Sequence, residues 1–147
     1  MSRRRTIGVV VGRAPTAVAA EALRAAVGLT LRGAHVDVAI EPATLDACGP
    51  AGARAAATLR LFEHGVDASS TAALAADVVE LWGDATSLAA PAGGGPHARL
   101  HLVRAGRTVD VAAPRDRVLH LPAAPADDAS HDLLLDAILA ADVVLVW

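Results

Sequence analysis

Apolar positions along this chain recur with two periods, and the period changes at glycines and prolines. Ile7 to Val11 is a continuous apolar, β-branched run closed by Gly12, the pattern of a strand buried on both faces. Pro15 then suits a first helical turn, Thr16 can cap it, and Gly33 marks the stop, so a helix is predicted over 16–32. Leu23, Ala26, Val27 and Thr30 form its apolar stripe, with Glu21, Arg24, Gly28 and Arg32 on another face. From Ala34 to Ile40 the period drops to two, with Val36, Val38 and Ile40 alternating against His35, Asp37 and Ala39. A strand, one helix and a second strand in so few residues make a right-handed βαβ unit with parallel strands.

Farther along, Pro42, Gly49 and Pro50 break the chain into a loop, and a second helix fits Ala51 to His64, with Ala55, Leu59 and Phe62 inward. Val66 to Ser70 makes a weak strand, Thr71 to Ala76 a short helix, and Asp77 to Trp82 a stronger strand. Residues 83–96 hold a Gly93-Gly94-Gly95 run and read as loop. His97 to Ala112 reads as a β-hairpin turning at Ala105-Gly106, which places His101 opposite Asp110. Arg117 to Leu121 adds a short strand. A PAAPADDAS linker leads to a helix over 131–140, for which Ser130 is the candidate cap, and Val143–Val146 is the last strand. The segments LAADVVELW (74–82) and LAADVVLVW (139–147) nearly repeat each other. Two copies in different surroundings do not make a repeat protein. Together the elements predict one α/β domain over 1–147, with residues 83–121 as a loop and hairpin insertion.

Composition narrows the choice of function. Hydrophobic residues make up 54% of the chain and aromatics 2%, so alanine and aliphatic side chains must fill the core. All thirteen basic residues are arginine, and the net charge of −3 argues against a nucleic-acid-binding domain. Arg3, Arg4 and Arg5 precede the first strand directly, without the apolar segment of a signal peptide, and no apolar run has the length of a membrane span. The single cysteine, Cys48, rules out an internal disulfide and a cysteine-based zinc site. A cytoplasmic location and no membrane partner are therefore expected. A mean hydropathy of +0.43 in a small domain leaves apolar surface to hide, which favours a homo-oligomer.

The first strand followed by GRAP, the helix EALRAAVGLTLRG, the strand AHVDVAIE and the terminal LLLDAILAADVVLVW resemble the DsrE/DsrF/DsrH-like sulfur-relay family. The resemblance covers about half the chain, chiefly its ends. It implies a three-layer α/β fold with a mostly parallel five-stranded sheet and helices on both faces. It further implies trimers or hexamers, sulfur-relay protein partners, and persulfide carried on a cysteine after the third strand. Here Ser69 or Ser70 stands at that cysteine's place, so the family role does not carry over to it. The resemblance thus points to a non-catalytic oligomeric subunit or binding module, with no cofactor.

Two other readings come from the residues themselves. Cys48 follows the second strand at the carboxyl edge of the sheet and precedes a helix start, where a helix N-terminus favours thiolate. It is the one residue able to carry persulfide in a sulfur-transfer protein, and the plainer alternative is an inert, half-buried cysteine. Gly12 to Pro15, with Arg13 and Thr16, is a candidate anion loop at a helix N-terminus, which opens a nucleotide-binding Rossmann-like reading. That loop lacks GxGxxG and a P-loop lysine, and Glu41, at the place of a ribose-binding acid, reads as a solvated strand end. Gly12, Arg13, Thr16, Ser69 and Ser70 are accordingly the candidate ligand-binding residues. The six histidines are scattered, or share a hairpin face with Arg99, and no metal site is expected.

Overall fold

Seven parallel strands form one sheet in the order β3-β2-β1-β4-β7-β5-β6. They are β1 (Thr6–Val11), β2 (His35–Ala39), β3 (Gly65–Asp67), β4 (Val78–Trp82), β5 (Arg99–Val103), β6 (Arg117–His120) and β7 (Val143–Val146). The computed structural model describes residues 4–86, 99–104, 106–107, 117–121 and 128–147. Its helices are α1 (Thr16–Thr30), α2 (Pro42–Ala47), α3 (Gly49–Leu61), α4 (Thr71–Leu74) and α5 (Asp128–Ala140).

Right-handed crossovers decide which face each helix covers. The moves β1 to β2, β2 to β3 and β6 to β7 all run toward the β3 edge, and α1, α3 and α5 share one face. The move from β3 to β4 runs the other way, and α4 lies on the opposite face. The main core sits under the first group: Ile7, Val9, Val36, Val38, Val78, Leu100 and Val144 meet Leu23, Leu29, Leu59 and Ile138. A smaller cluster of Val10, Ala39, Ala73, Leu81, Ala85 and Leu145 fills the other face. Residues successive along β1, β4 and β7 therefore feed different cores, which explains why these strands carry no polar face.

Seven strands replace the five expected, and the hairpin expected at 97–112 is corrected in part. Arg107 N–H does bond to the Arg104 carbonyl at 3.1 Å, making a turn around Gly106. But β5 pairs with β7 along one edge and with β6 along the other, both in parallel, so no edge is left for a returning antiparallel arm. His101 is buried, and its Nδ1 accepts from the Trp147 indole at 3.0 Å. The Gly93-Gly95 run, His97, the arm 109–111 with Asp110, and the linker 122–127 lie outside the described residues.

Helix faces also differ in detail from the expected ones. Val18, Ala19, Ala22, Leu23, Ala26 and Leu29 are the buried face of α1, with Val27 and Thr30 at its margin. Pro15, not Thr16, holds the cap position, and no side chain caps the helix. The loop expected after β2 instead forms α2, because Pro42 occupies the first helical position, where its missing N–H costs nothing. The next helix consequently begins at Gly49 and buries Gly52, Ala56 and Leu59, which leaves Phe62 66% exposed.

Candidate functional site

The strand order reverses between β1 and β4: the chain first winds outward to β3, then returns to the other side of β1. In open parallel sheets the crevice at the carboxyl ends of such a pair is where ligands bind. Two loops meet there, 12–15 after β1 and 83–86 after β4. Gly12 N–H donates to the Trp82 carbonyl at 3.0 Å, Arg13 N–H to Asp84 Oδ1 at 2.6 Å, and Asp84 N–H to the Arg13 carbonyl at 3.1 Å. So close an approach needs glycine on both sides. A Cβ at Gly12 would overlap Asp84 Oδ1, and one at Gly83, where φ is +66°, would come within 2.7 Å of the Arg13 carbonyl oxygen.

The Arg13–Asp84 link divides the crevice into two hollows. One, of about 220 Å³, lies against Arg13, Asp84, Thr86, Arg104, Arg107 and Trp147. The other, of about 260 Å³, lies against Gly12, Arg13, Glu41, Thr44 and Asp84. Three arginines and one aspartate line the first, so its side-chain balance is cationic. Arg104 is held in place, its Nε donating to the Trp147 carbonyl at 2.8 Å. Such planar cations suit paired hydrogen bonds to carboxylate or phosphate oxygens. The second hollow is acidic, with Glu41 and Asp84.

Of the residues singled out from sequence, Gly12 and Arg13 come together in this crevice, and Thr16 opens the helix beside it. The space at Gly12 is taken by Asp84 and Ala85, where a dinucleotide's pyrophosphate would need to approach. Ser69 and Ser70 follow β3, two strands away. Ser69 is absorbed in its own turn: Thr71 N–H donates to its Oγ at 3.3 Å, and that Oγ lies 3.0 Å from Thr71 Oγ1. Ser70 precedes α4 without capping it through its side chain.

Cys48 sits where α2 ends and α3 begins, half-buried against Gly52. Its thiol donates to the Thr44 carbonyl at 3.3 Å, and burial pushes its pKa up. Arg54 lines the groove between α1 and α3.

Sequence reasoning passed over Glu80. It stands in the middle of β4, 1% exposed, and faces the α1 and α5 side of the sheet. Its Oε1 accepts from the Trp82 indole at 2.6 Å, while Oε2 has no hydrogen-bond partner among the described residues. Burial pushes its pKa up to about 7, and the indole bond pulls weakly the other way. The visible signal was one charge inside VVELW (78–82), a run otherwise apolar on both faces.

Among the described residues no group of three or more His, Cys, Asp or Glu side chains is placed to hold a metal ion. No helix among them is long and apolar enough to cross a membrane. No family model, no curated protein and no solved structure matches this chain.

Proposed function

We propose that the chain is a binding module for a small anionic molecule, held in the cationic hollow between the β1 and β4 loops, and that it works as an assembly of identical subunits. The observation that carries this reading is the convergence of Arg13, Arg104 and Arg107 on the carboxyl side of the strand reversal. Binding rather than sulfur transfer is favoured because Cys48 has its proton engaged by Thr44 and its pKa raised by burial, the opposite of what a persulfide carrier needs. The likeness of both chain ends to DsrE/DsrF/DsrH-like proteins is compatible with a subunit that has kept the scaffold without the sulfur-carrying cysteine. Dinucleotides fit less well, since Asp84 already occupies the β1 loop.

Calorimetric titration of the full chain with inorganic phosphate, sulfate and succinate tests the reading. At least one should bind saturably, and Arg107→Ala should weaken it by about 1.5–3 kcal/mol, the worth of a hydrogen bond to a charged group. Absence of binding by all three, or equal binding by the variant, would overturn it.

A further inference from the structure

A short strand with a histidine at its root closes the outer edge of the sheet. β3 pairs with β2 through three residues only, Asp37 with Gly65, Val38 with Val66 and Ala39 with Asp67. So short a ladder opens easily. Val36 lies one residue before it begins, and its N–H is taken by His64 Nδ1 at 3.1 Å. The imidazole thus stands where a longer β3 would offer a backbone carbonyl. It is buried, and its ring centre lies 5.3 Å from that of His35. The chain bends sharply to put it there. Glu63 takes a φ of +62°, uncommon for a residue with a side chain, and His64 N–H closes the end of α3 on the Leu59 carbonyl at 2.9 Å. Leu59 of α3 and Ala73 of α4, each 1% exposed, anchor the chain on either side, so an opening can be confined to the segment between them.

We propose that His64 is an acid-sensitive latch: neutral, it holds β3 and the turn before it on the edge of β2, and protonated it lets them go. Protonation places a hydrogen on Nδ1, so the ring can no longer accept from Val36. The charged groups around the ring come from each element packed against it. β2 supplies His35 and Asp37, the segment before β1 supplies Arg4, and α3 with its turn supplies Arg60 and Glu63, both exposed. Arg4 is fixed by bonds to the Gly33 and Ala34 carbonyls at 2.8 and 3.1 Å, and Asp37 Oδ1 lies 3.3 Å from His35 Nε2. Burial lowers the pKa of His64 first, His35 and Arg4 add to this, and Asp37 acts the other way. In the open segment the ring titrates at its ordinary 6.5, so opening takes up a proton below that pH. Release also shifts Leu61 and Phe62, the exposed apolar pair just before the latch.

Amide hydrogen exchange of the full chain, followed by NMR and expressed as protection factors, tests this. Val36 reports the latch itself. Ile40, whose N–H donates to the Asp67 carbonyl at 2.8 Å, reports the docking of β3, and Val79, bonded to the Asp142 carbonyl at 2.9 Å, reports the middle of the sheet. Between pH 7 and pH 5 Val36 and Ile40 should lose protection severalfold, at most about tenfold per pH unit for one proton taken up, while Val79 keeps its own. His64→Asn places an oxygen where Nδ1 lies and does not titrate, so both edge amides should stay protected at pH 5. His64→Leu, with no acceptor, should leave both weakly protected already at pH 7. Unchanged protection of Val36 in acid, a loss at Val36 without Ile40, a loss shared by Val79, or the same pH dependence in His64→Asn would overturn the proposal.

Discussion

Glu80 makes the clearest prediction at the scale of single residues. Its carboxyl titrates near 4.5 when solvated and at about 7 in the fold. Below pH 4.5 it is neutral in both states and costs nothing through ionisation. Between 4.5 and 7 the folded state holds the proton that the unfolded state has lost, so stability falls as pH rises. Above 7 the full penalty is present, on the order of 3 kcal/mol for a shift of this size. The charged residues that line the same cavity as Glu80, Glu21 and Arg24, are of opposite sign and partly solvated. His64 acts in the other sense. Its Nδ1 must stay unprotonated to accept from Val36 N–H at 3.1 Å. Its pKa is lowered, first by burial and then by His35 and Arg4, so its contribution is lost as pH falls below 6.5. Comparing wild type with Glu80→Gln cancels that background. Urea unfolding at pH 5 and pH 8 should show wild type losing stability relative to the variant by on the order of 3 kcal/mol. Parallel pH profiles would show that Glu80 ionises as it does in water. None of this titration was readable from sequence, because a strand position fixes which face a side chain takes but not what stands above it.

At the scale of elements, the near-repeat LAADVVELW and LAADVVLVW shows what sequence can and cannot carry. Both copies form the expected strand, but β4 and β7 pair with a one-residue offset, Val79 opposite Val143. Equivalent positions therefore face opposite sides of the sheet. Val78, Glu80 and Trp82 look toward α1 and α5, whereas Val143, Leu145 and Trp147 look toward the other face. The parallel βαβ start and the terminal strand were legible because strong apolar runs and glycine stops agree there. The hairpin misled because Arg99–Val103 alternates and runs into a turn at Gly106, which local pattern reads as the first arm of a hairpin, whereas β5 takes parallel partners on both edges. Packing between elements gives a sharp test at Gly8. A Cβ there would overlap the Ala73 carbonyl oxygen, which is backbone of α4 and cannot rotate away. Gly8→Ala should destabilise at the upper end of the about 1–3 kcal/mol typical of overpacking. Gly28→Ala, on α1 with open space around it, should be neutral or stabilising by up to about 1 kcal/mol. Urea unfolding of the two variants side by side checks this, and equal effects would contradict the close seating of α4 on β1.

For the whole molecule, the placement of exposed apolar side chains relative to the crevice bears on assembly. Helices α1 and α3 each start at the carboxyl edge of the sheet and end at its amino edge, where the next strand begins. Leu31 (85% exposed), Leu61 (76%) and Phe62 (66%) sit at those far ends. An ion pair between Arg32 and Asp132 ties the end of α1 to α5, and Leu133, the neighbour of Asp132, is exposed as well. Leu31, Leu61 and Phe62, at the amino edge, are what a self-association surface would bury. The arginine hollow opens at the carboxyl edge, so subunits joined through the opposite end would leave it accessible. Light scattering at micromolar concentration should give a trimer or hexamer, the states implied by the DsrE/DsrF/DsrH-like resemblance. Leu61→Glu combined with Phe62→Glu should convert it to a monomer, because two charges would have to be buried at the contact. Both residues are solvent-exposed in the chain itself, so the double variant should unfold within about 0.5–1 kcal/mol of wild type when each is measured as a monomer. A wild-type chain that scatters as a monomer, or a double variant of unchanged mass, would place any assembly surface elsewhere.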